Sequence, residues 1–147
     1  MDTLVTPTEP TVAPFSPGCI VTEDREDCKQ AMVPVTEVLA QIGGKWTVHI
    51  IMALGGGPLR FSELLRGIEG ISQKMLTATL RDLEKDGFVS RKVTPSIPPR
   101  VDYELTALGH SLLKPIMGLT QWALDNIEHI HGAQARFDAD QARAEAA

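Results

Sequence analysis

The sequence predicts a mainly α-helical domain that carries one small β-hairpin. Three observations predict it: apolar residues recur at helical spacing in segments separated by glycine, two short alternating segments flank a proline-rich turn, and a long apolar helix follows. Of 147 residues, 43% are hydrophobic and 22% charged, so the chain can bury the core of one domain. We expect this domain over residues 32–131, between a flexible N-terminal arm at 1–31 and a flexible C-terminal tail at 132–147.

The composition of the two ends supports these boundaries. The first 18 residues contain four prolines among threonines, a composition that cannot bury a core. Residues 19–31 hold few apolar groups and an acidic cluster, and we interpret them as an arm that leads into the domain. After Gly132 the sequence is rich in alanine and polar residues, which predicts a weakly helical or frayed tail.

Composition also excludes several classes of protein. The net charge of −5 argues against a general nucleic-acid coat protein and a polybasic membrane binder. Two cysteines are too few for a disulfide-stapled mini-domain or a four-cysteine zinc site. The longest apolar stretch, residues 46–59, is too short to span a bilayer, and residues 1–17 lack the features of a signal peptide. We therefore expect a soluble, cytoplasmic protein.

Apolar spacing predicts the first three helices. The first helix ends before Gly43, and its apolar residues at positions i, i+3, i+4 and i+7 are Val35, Val38, Leu39 and Ile42. Nearly every residue from Lys45 to Leu54 is apolar, which suits a buried strand or a buried helix; the length of the segment favours a central helix. The third helix has the same spacing as the first, in Phe61, Leu64, Leu65 and Ile68.

A fourth helix and the hairpin follow. After a turn of about three residues, Ser72 is expected to cap the fourth helix, which runs to Asp86 and stops at Gly87. Its expected inner face consists of Met75, Leu76, Thr79, Leu80 and Leu83. Residues 88–93 and 100–105 are predicted to form two strands. Because proline cannot donate a hydrogen bond to a sheet, the three prolines between these strands predict a stiff, exposed hairpin tip.

A long helix is predicted at the end of the domain, capped by Thr106 and running from Ala107 to about His131. It carries two apolar stripes, which consist of Leu112, Ile116, Leu119 and Ala123 and of Leu113, Met117, Leu124 and Ile127. A terminal helix needs one such stripe for the core of its own chain, so the second predicts contact with a partner chain. Pro115 is expected to kink or break this helix.

The order of the elements is that of a winged helix-turn-helix. In this arrangement the fourth helix keeps one free face that can enter the major groove of DNA. The face opposite its leucines carries cations, small residues and an amide, namely Gln73, Lys74, Thr77, Ala78, Arg81 and Lys85. The hairpin adds Arg91, Lys92 and Arg100. Outward cations are also common on solvated helices, but here the charge pattern and the topology agree, which favours DNA binding.

Several blocks of the sequence closely resemble the HxlR-type winged helix-turn-helix regulators, over about residues 33–125. These blocks include IGGKW at 42–46, RFSEL at 60–64, ISQKML at 71–76 and PPRVDYELT at 98–106, of which GGKW and ISQKML together are highly specific. The resemblance implies a homodimeric bacterial or archaeal transcription regulator that dimerises through its first and last helices. The DNA contacts that it implies are Ser72, Gln73, Lys74, Thr77 and Arg81 on the fourth helix and Arg91 and Arg100 on the wing. The implied dimer contacts are Val35, Leu39, Leu113, Met117, Trp122 and Leu124.

The cysteines depart from the pattern of this family. Many members have a cysteine directly before the Pro-Val that opens the first helix, and in the redox-sensing members this thiol is the switch. Here that position is Val33. Cys28 or Cys19 could substitute, or both are incidental and stay reduced. The acidic residues around Cys28 outnumber its cationic neighbours, which does not favour a thiolate.

No set of residues predicts catalysis or a bound metal. The sequence shows no Ser-His-Asp set, no phosphate-binding glycine loop and no paired carboxylates. His129 and His131 are two residues apart, so they face different sides of a helix. We therefore expect neither enzyme activity nor a cofactor.

Two functions remain in competition. The first is a homodimeric transcriptional regulator that binds a palindromic or near-palindromic operator in double-stranded DNA, with a small-molecule effector or a redox signal as candidate inputs and no membrane partner. The second, suggested by the pI of about 5.3 and the acidic ends, is a winged-helix module that binds a protein and no nucleic acid. The two differ in salt dependence, because contacts to phosphates weaken steeply as salt is added.

Overall fold

The computed structural model describes residues 26–147 and confirms the mainly helical fold class with a small sheet. The helices are α1 (Glu26–Ile42), α2 (Lys45–Leu54), α3 (Phe61–Gly67), α4 (Gln73–Lys85) and α5 (Ala107–Ala146). The strands are β1 (Leu59–Arg60), β2 (Val89–Thr94) and β3 (Arg100–Leu105). The chain divides into two compact units at the boundary between Ile42 and Gly43.

Helix α1 is the described part of the first unit, and it is longer than predicted. It begins at Glu26 and so includes residues 26–31, which we expected in the flexible arm. Glu, Lys, Gln, Ala and Met are good helix formers, so local propensity extends the helix where apolar spacing gives no signal. Pro34 lies inside the helix, and the Thr36 hydroxyl donates a hydrogen bond of 2.8 Å to the Met32 carbonyl.

Helix α2 is the centre of the second unit, as the length of its apolar segment predicted. Ile50, Ile51 and Leu54 are at most 1% exposed. They belong to one cluster with buried side chains from the other helices and the sheet, which include Leu64, Leu76, Leu80, Val89, Tyr103, Leu105 and Ile116. This cluster fixes α4 and the sheet relative to each other, and it therefore positions the surface described below.

The sheet has three antiparallel strands in the order β1-β3-β2. The predicted hairpin is confirmed, with Val89 opposite Leu105 and Thr94 opposite Arg100. Strand β1 was not predicted, because two residues are too short to show a periodicity. It pairs Leu59 with Tyr103 and so adds a third strand at the open edge of β3.

Both ends of α4 are fixed by the residues that the sequence indicated. The Ser72 hydroxyl accepts a hydrogen bond of 3.1 Å from the Met75 N–H. At the other end Gly87 has a φ of +84°. Its N–H donates to the Glu84 carbonyl at 3.1 Å, and the Phe88 N–H donates to the Leu83 carbonyl at 2.9 Å. The connection from α3 is residues 68–72, which is longer than the predicted turn of about three residues.

Helix α5 is continuous over 40 residues, so Pro115 does not break it, and the expected end near His131 is wrong. Pro115 and Ser111, whose carbonyl would have accepted the missing hydrogen bond, are both exposed, so water can take the place of the proline N–H. The alanine-rich composition after Gly132 is favourable to a helix, which continues through this segment. Among residues 26–147, no helix has the length and apolar character needed to cross a membrane.

The start of α5 is docked closely on the rest of the second unit. The Thr106 hydroxyl accepts from the Gly109 N–H at 3.1 Å and donates to the Gly87 carbonyl at 2.6 Å. A Cβ added to Gly109 would lie 2.2 Å from the Phe88 carbonyl oxygen. Only a residue without a side chain permits this approach, so Gly109 ties α5 to the end of α4.

Candidate nucleic-acid interface

The outward face of α4 is the first part of the candidate site. Leu76, Leu80 and Leu83 are at most 4% exposed, which leaves the opposite side of the helix uncovered within this chain. The predicted contact residues of this helix are all exposed, and they are Ser72, Gln73, Lys74, Thr77 and Arg81. The prediction of Met75 on the inner face is wrong: it is 44% exposed, since it lies at the edge of the stripe formed by the buried leucines.

The polar groups on this face are free to meet a ligand. Within residues 26–147, neither Lys74 nor Arg81 forms an ion pair. The Thr77 hydroxyl donates to the Gln73 carbonyl at 2.8 Å, so its proton is engaged and its methyl group remains for an apolar contact. The Ser72 oxygen accepts from the backbone, which leaves the hydroxyl proton available to donate to an anion.

The outward face of α4 differs between its N-terminal end and the rest of the helix. Ser72 and Gln73 lie at the N-terminal end, where backbone N–H groups are unpaired and the helix dipole is positive. Lys74, Thr77 and Arg81 follow at spacings of three and four residues, so they share one side of the helix. An anion is therefore favoured at the beginning of the helix, and hydrogen-bonding and methyl groups continue along it.

The two arginines predicted on the wing lie on opposite faces of the hairpin. Residues directly opposite each other in an antiparallel pair share a face. Arg91 is opposite Tyr103, whose side chain is buried, so Arg91 is on the face that turns toward the core although it is itself exposed. Arg100 is opposite Thr94 on the other face. The structure therefore does not bring these two side chains together.

Arg100 is held in place by a neighbour on its own strand. Its Nε donates to both carboxylate oxygens of Asp102, at 3.2 and 3.0 Å. Lys92 is opposite Asp102 on β2, and Arg60 is opposite Asp102 on β1. Sequence reasoning missed Arg60, because its place beside the wing depends on the pairing of β1 with β3.

A groove of about 560 Å³ lies between the wing tip and the start of α3. Arg60 and Arg100 are its charged residues, and the other residues that line it are Phe61, Ser62, Ser96, Ile97, Pro98, Pro99 and Val101. The Ser96 hydroxyl donates a hydrogen bond of 2.7 Å to the Pro98 carbonyl, so two residues of the tip are bonded to each other. The tip is exposed, as the sequence predicted. Its stiffness stays a prediction, which the prolines and this hydrogen bond support.

A second exposed surface consists of apolar residues on α5. Its large exposed side chains are Met117, Leu119, Trp122, Leu124, Ile127 and Ile130, which are between 37% and 66% exposed. On α1, described by itself, Val35 and Leu39 are also exposed. Leu113 differs from the other predicted dimer contacts, because it is half-buried against Gly55 of its own chain.

The remaining candidate sites in the sequence are the two cysteines. Cys19 lies outside the described residues, and Cys28 is within α1 but its side chain is not described. Among residues 26–147, no three His, Cys, Asp or Glu side chains are grouped so that they could hold a metal ion.

Comparison with known proteins places the chain among regulators. Residues 41–131 match the profile of the HxlR-like helix-turn-helix family. A helix-turn-helix-type transcriptional regulator of Methanothermobacter thermautotrophicus is 48% identical over 82 residues, which are 56% of this chain and 63% of that protein. The helix-turn-helix-type transcriptional regulator YtfH of Escherichia coli is 41% identical over 97 residues, or 66% of this chain and 77% of that protein.

A solved structure with a similar fold is that of the redox regulator HypR in its reduced form. It has a TM-score of 0.63 and 37% identity, and the match covers 67% of this chain and 98% of that chain. The matched part of the present chain thus accounts for nearly the whole of HypR, and about a third of the present chain lies outside the match.

Proposed function

We propose that this chain, which belongs to the HxlR-like helix-turn-helix family, is a sequence-specific DNA-binding regulator of transcription that acts as a homodimer. The observation that carries the proposal is the outward face of α4, where Lys74 and Arg81 are exposed and without an ion pair among the described residues. A cationic helix face that the core leaves uncovered is what a major groove about 12 Å wide can accept.

The residues on α4 suit different parts of the duplex. Lys74 and Arg81 can donate to O6 and N7 of guanine, and Gln73 can pair with adenine. The free methyl group of Thr77 fits against the methyl group of thymine. Ser72 and the unpaired N–H groups beside it suit a phosphate, which would fix the register of the helix without reading sequence.

The wing contributes from two sides of the hairpin. Because Arg91 and Arg100 lie on opposite faces, they cannot hold the same phosphate in the way that a pair of adjacent arginines could. We expect each of them to contact a different part of the DNA that flanks the major groove. Loss of one should therefore leave the contribution of the other largely intact.

The proposed dimer rests on the apolar surface of α5. Leu119, Trp122 and Leu124 are more than half exposed, and such a surface on an isolated chain favours association. A second copy is the expected partner, since a two-fold axis places the same apolar face on both sides of the contact. The two α4 helices would then lie about 34–36 Å apart and read a palindromic or near-palindromic operator.

A binding titration tests the proposal. The measurement is fluorescence anisotropy of labelled DNA from the region upstream of the protein's own gene, at several salt concentrations. The variant Lys74→Ala/Arg81→Ala should lower the affinity for this upstream DNA more than the affinity for scrambled DNA, because it removes two contacts to base edges from each protomer. Arg136→Ala is the matched control, because it removes an exposed cation from the distant part of α5. Salt-independent binding, or equal loss in both variants, would contradict the proposal.

The alternative function is a winged-helix module that binds a protein partner. The acidic pI of about 5.3 and the exposed apolar face of α5 favour it. It predicts that a partner covers the Arg81 face and that this complex persists at high salt. The same salt titration therefore separates the two functions.

The input to the regulator is a separate question. The chain has two cysteines, Cys19 and Cys28, so a thiol-based redox response would use one or both of them. A footprint of the operator with and without oxidant, on the wild type and on Cys19→Ser/Cys28→Ser, distinguishes a thiol switch from incidental cysteines. A change in protection that the double variant abolishes supports the switch, and identical footprints contradict it.

A further inference from the structure

We infer that the groove between the wing tip and the start of α3 binds the sugar-phosphate backbone of DNA through Arg60 and Arg100. This inference rests on the proposed function and adds to it a contact, Arg60, that neither the sequence pattern nor the outward face of α4 includes. Four steps support it: the charge of the groove, the orientation of its two arginines, its apolar walls and its openness.

The charge of the groove has one sign. Nine residues line it, of which Arg60 and Arg100 are cationic and none is acidic. The neighbouring cavity of about 250 Å³ is different, because Glu63, Asp102 and Glu104 are among its lining residues. The neighbouring cavity also contains the cations Lys92 and Arg100, so its carboxylates exceed its cations by one. An anion is therefore more favoured in the groove than beside it.

A carboxylate lies within ion-pair distance of the Nε of each arginine, but only that of Arg100 forms a hydrogen bond. Asp102 accepts from the Nε of Arg100 at 3.0 Å, and Glu63 lies 3.9 Å from the Nε of Arg60. The terminal amino groups have no partner among residues 26–147. The Arg100 guanidinium, which Asp102 fixes at Nε, offers its amino groups to the oxygens of a phosphate with little further loss of side-chain freedom. Glu63 is beyond hydrogen-bond distance of Arg60 and does not fix that side chain.

The walls of the groove suit a sugar as well as a phosphate. Phe61, Pro98 and Val101 provide apolar surface against which a deoxyribose can pack, and Ser62 adds a hydroxyl that can donate to a phosphate oxygen. The prolines keep this surface in place, since the tip they form has few conformations to lose on binding.

The openness of the groove favours a polymer over a small ligand. Sites for small molecules generally enclose most of the ligand's surface. Here the side chains of Arg60 and Arg100 are each 48% exposed, and Ile97 at the tip is fully exposed. A small anion would remain largely in solvent, whereas a DNA strand held by α4 and the wing can pass along an open groove.

The variant Arg60→Met tests the inference, because it keeps an unbranched apolar side chain and removes the cation. Operator affinity is measured by anisotropy between 50 and 200 mM KCl. Because a homodimer carries Arg60 twice, the variant loses two phosphate contacts and the salt slope becomes shallower by about 1.8, so the fall in affinity over this range becomes about twelvefold smaller than in the wild type. The loss should be the same on operator and on scrambled DNA, because a phosphate carries no sequence information.

Two further variants serve as controls. Arg66→Met removes an exposed cation from α3 outside the groove and should leave the slope unchanged. Arg60→Lys retains the charge and should restore most of the wild-type slope. Thermal melts monitored by circular dichroism show whether each variant is folded. If Arg60→Met is unfolded, Arg60→Gln takes its place, because it also removes the cation.

The outcomes separate this inference from the proposed function. A lower operator affinity in Lys74→Ala/Arg81→Ala together with an unchanged slope in Arg60→Met overturns the groove contact alone. Salt-independent binding by the wild type overturns both. Thymidine monophosphate is titrated onto the DNA-free protein as a third arm, and saturable binding that Arg60→Met abolishes would make the groove a small-anion site and contradict its assignment to the DNA backbone.

Discussion

Helices α4 and α5 both dock an apolar stripe on the same core, but their free surfaces differ. On α4, the 13-residue helix from Gln73 to Lys85, the side opposite the buried leucines is polar and cationic. On α5, Ile116 is buried, whereas Leu119, Trp122 and Leu124 beyond it are more than half exposed. The free face of α4 therefore suits a charged, hydrated ligand, whereas the free face of α5 suits an apolar protein surface.

The contrast explains how an acidic chain can bind DNA. The net charge of −5 describes the whole molecule, but the potential that a phosphate meets depends on the charges near it. On the outward face of α4 the cations are not neutralised by ion pairs among the described residues. Substitutions on the face of α4, on the face of α5 and in the buried stripes therefore separate a role in DNA binding, in dimerisation and in the core.

The largest effect is expected on dimerisation. The double variant Leu119→Glu/Leu124→Glu buries four carboxylates in a two-fold interface, and an uncompensated buried charge weakens binding by about 3–5 kcal/mol, or at least 100-fold in Kd. Sedimentation velocity over a concentration series measures the shift to monomer. Lys114→Glu is the control, since it changes charge on the polar side of the same helix. A dimer of unchanged affinity in the double variant would contradict the role of α5.

The next effect concerns the core beneath α4. Leu76→Ala removes a side chain that is fully buried, and the free energy of unfolding should fall by about 2–5 kcal/mol. The neighbouring Thr77→Ala affects an exposed position and should change it by less than about 0.5 kcal/mol. Urea denaturation followed by circular dichroism measures both. Similar losses in the two variants would mean that the outward face of α4 is packed and not free.

A smaller effect separates the docked and free parts of α5. Gly109→Ala places a Cβ against the Phe88 carbonyl, and the resulting overpacking should cost about 1–3 kcal/mol. Gly118→Ala adds a Cβ where no atom lies within 4 Å, so it should stabilise the helix by up to about 1 kcal/mol. Thermal unfolding of the two variants gives opposite shifts in Tm. Shifts of the same sign would show that Gly118 is enclosed in the folded protein.

The smallest effect concerns the cap of α4. Ser72→Ala removes the oxygen that accepts the Met75 N–H and should destabilise the protein by about 1 kcal/mol. Ser72→Asp keeps an acceptor and should retain stability, but its negative charge should weaken operator binding. Denaturation and anisotropy measured on the same samples separate the cap from the phosphate contact. If Ser72→Asp bound the operator as the wild type does, Ser72 would not lie near a phosphate.

Features that depend on neighbouring residues in the chain were predicted well. The Ser72 cap, the Gly87 stop and the apolar stripe of α4 follow from hydrogen bonds and side-chain spacing within about one helical turn. The ends of helices were predicted less well, because good helix formers extend a helix beyond the point where apolar spacing or a single proline or glycine suggests that it stops. Helix α1 starts earlier than apolar spacing indicated, and α5 passes Pro115 and continues to Ala146.

Features that depend on distant residues were not predicted. Strand β1 exists because β3 offers it an edge, and the separation of Arg91 from Arg100 follows from the register of the hairpin. Met75 fits the apolar stripe of α4 but is 44% exposed, and Leu113, a predicted dimer contact, is partly buried beside Gly55 of its own chain. In each case the sequence pattern supplies a side chain, but packing determines what it meets.

The amino-acid sequence by itself determined the helical fold class, the capped helix with its cationic face and the surplus of apolar residues on the last helix. Spacing along a helix assigns residues to faces without knowledge of the rest of the chain, which is why these features could be read directly. Only the tertiary structure decided that Arg60 lies opposite Asp102 and lines the same groove as Arg100, and that the Asp102 carboxylate accepts a hydrogen bond from the Nε of Arg100. Strand pairing joins residues that are far apart in sequence, so no local pattern encodes which of them meet.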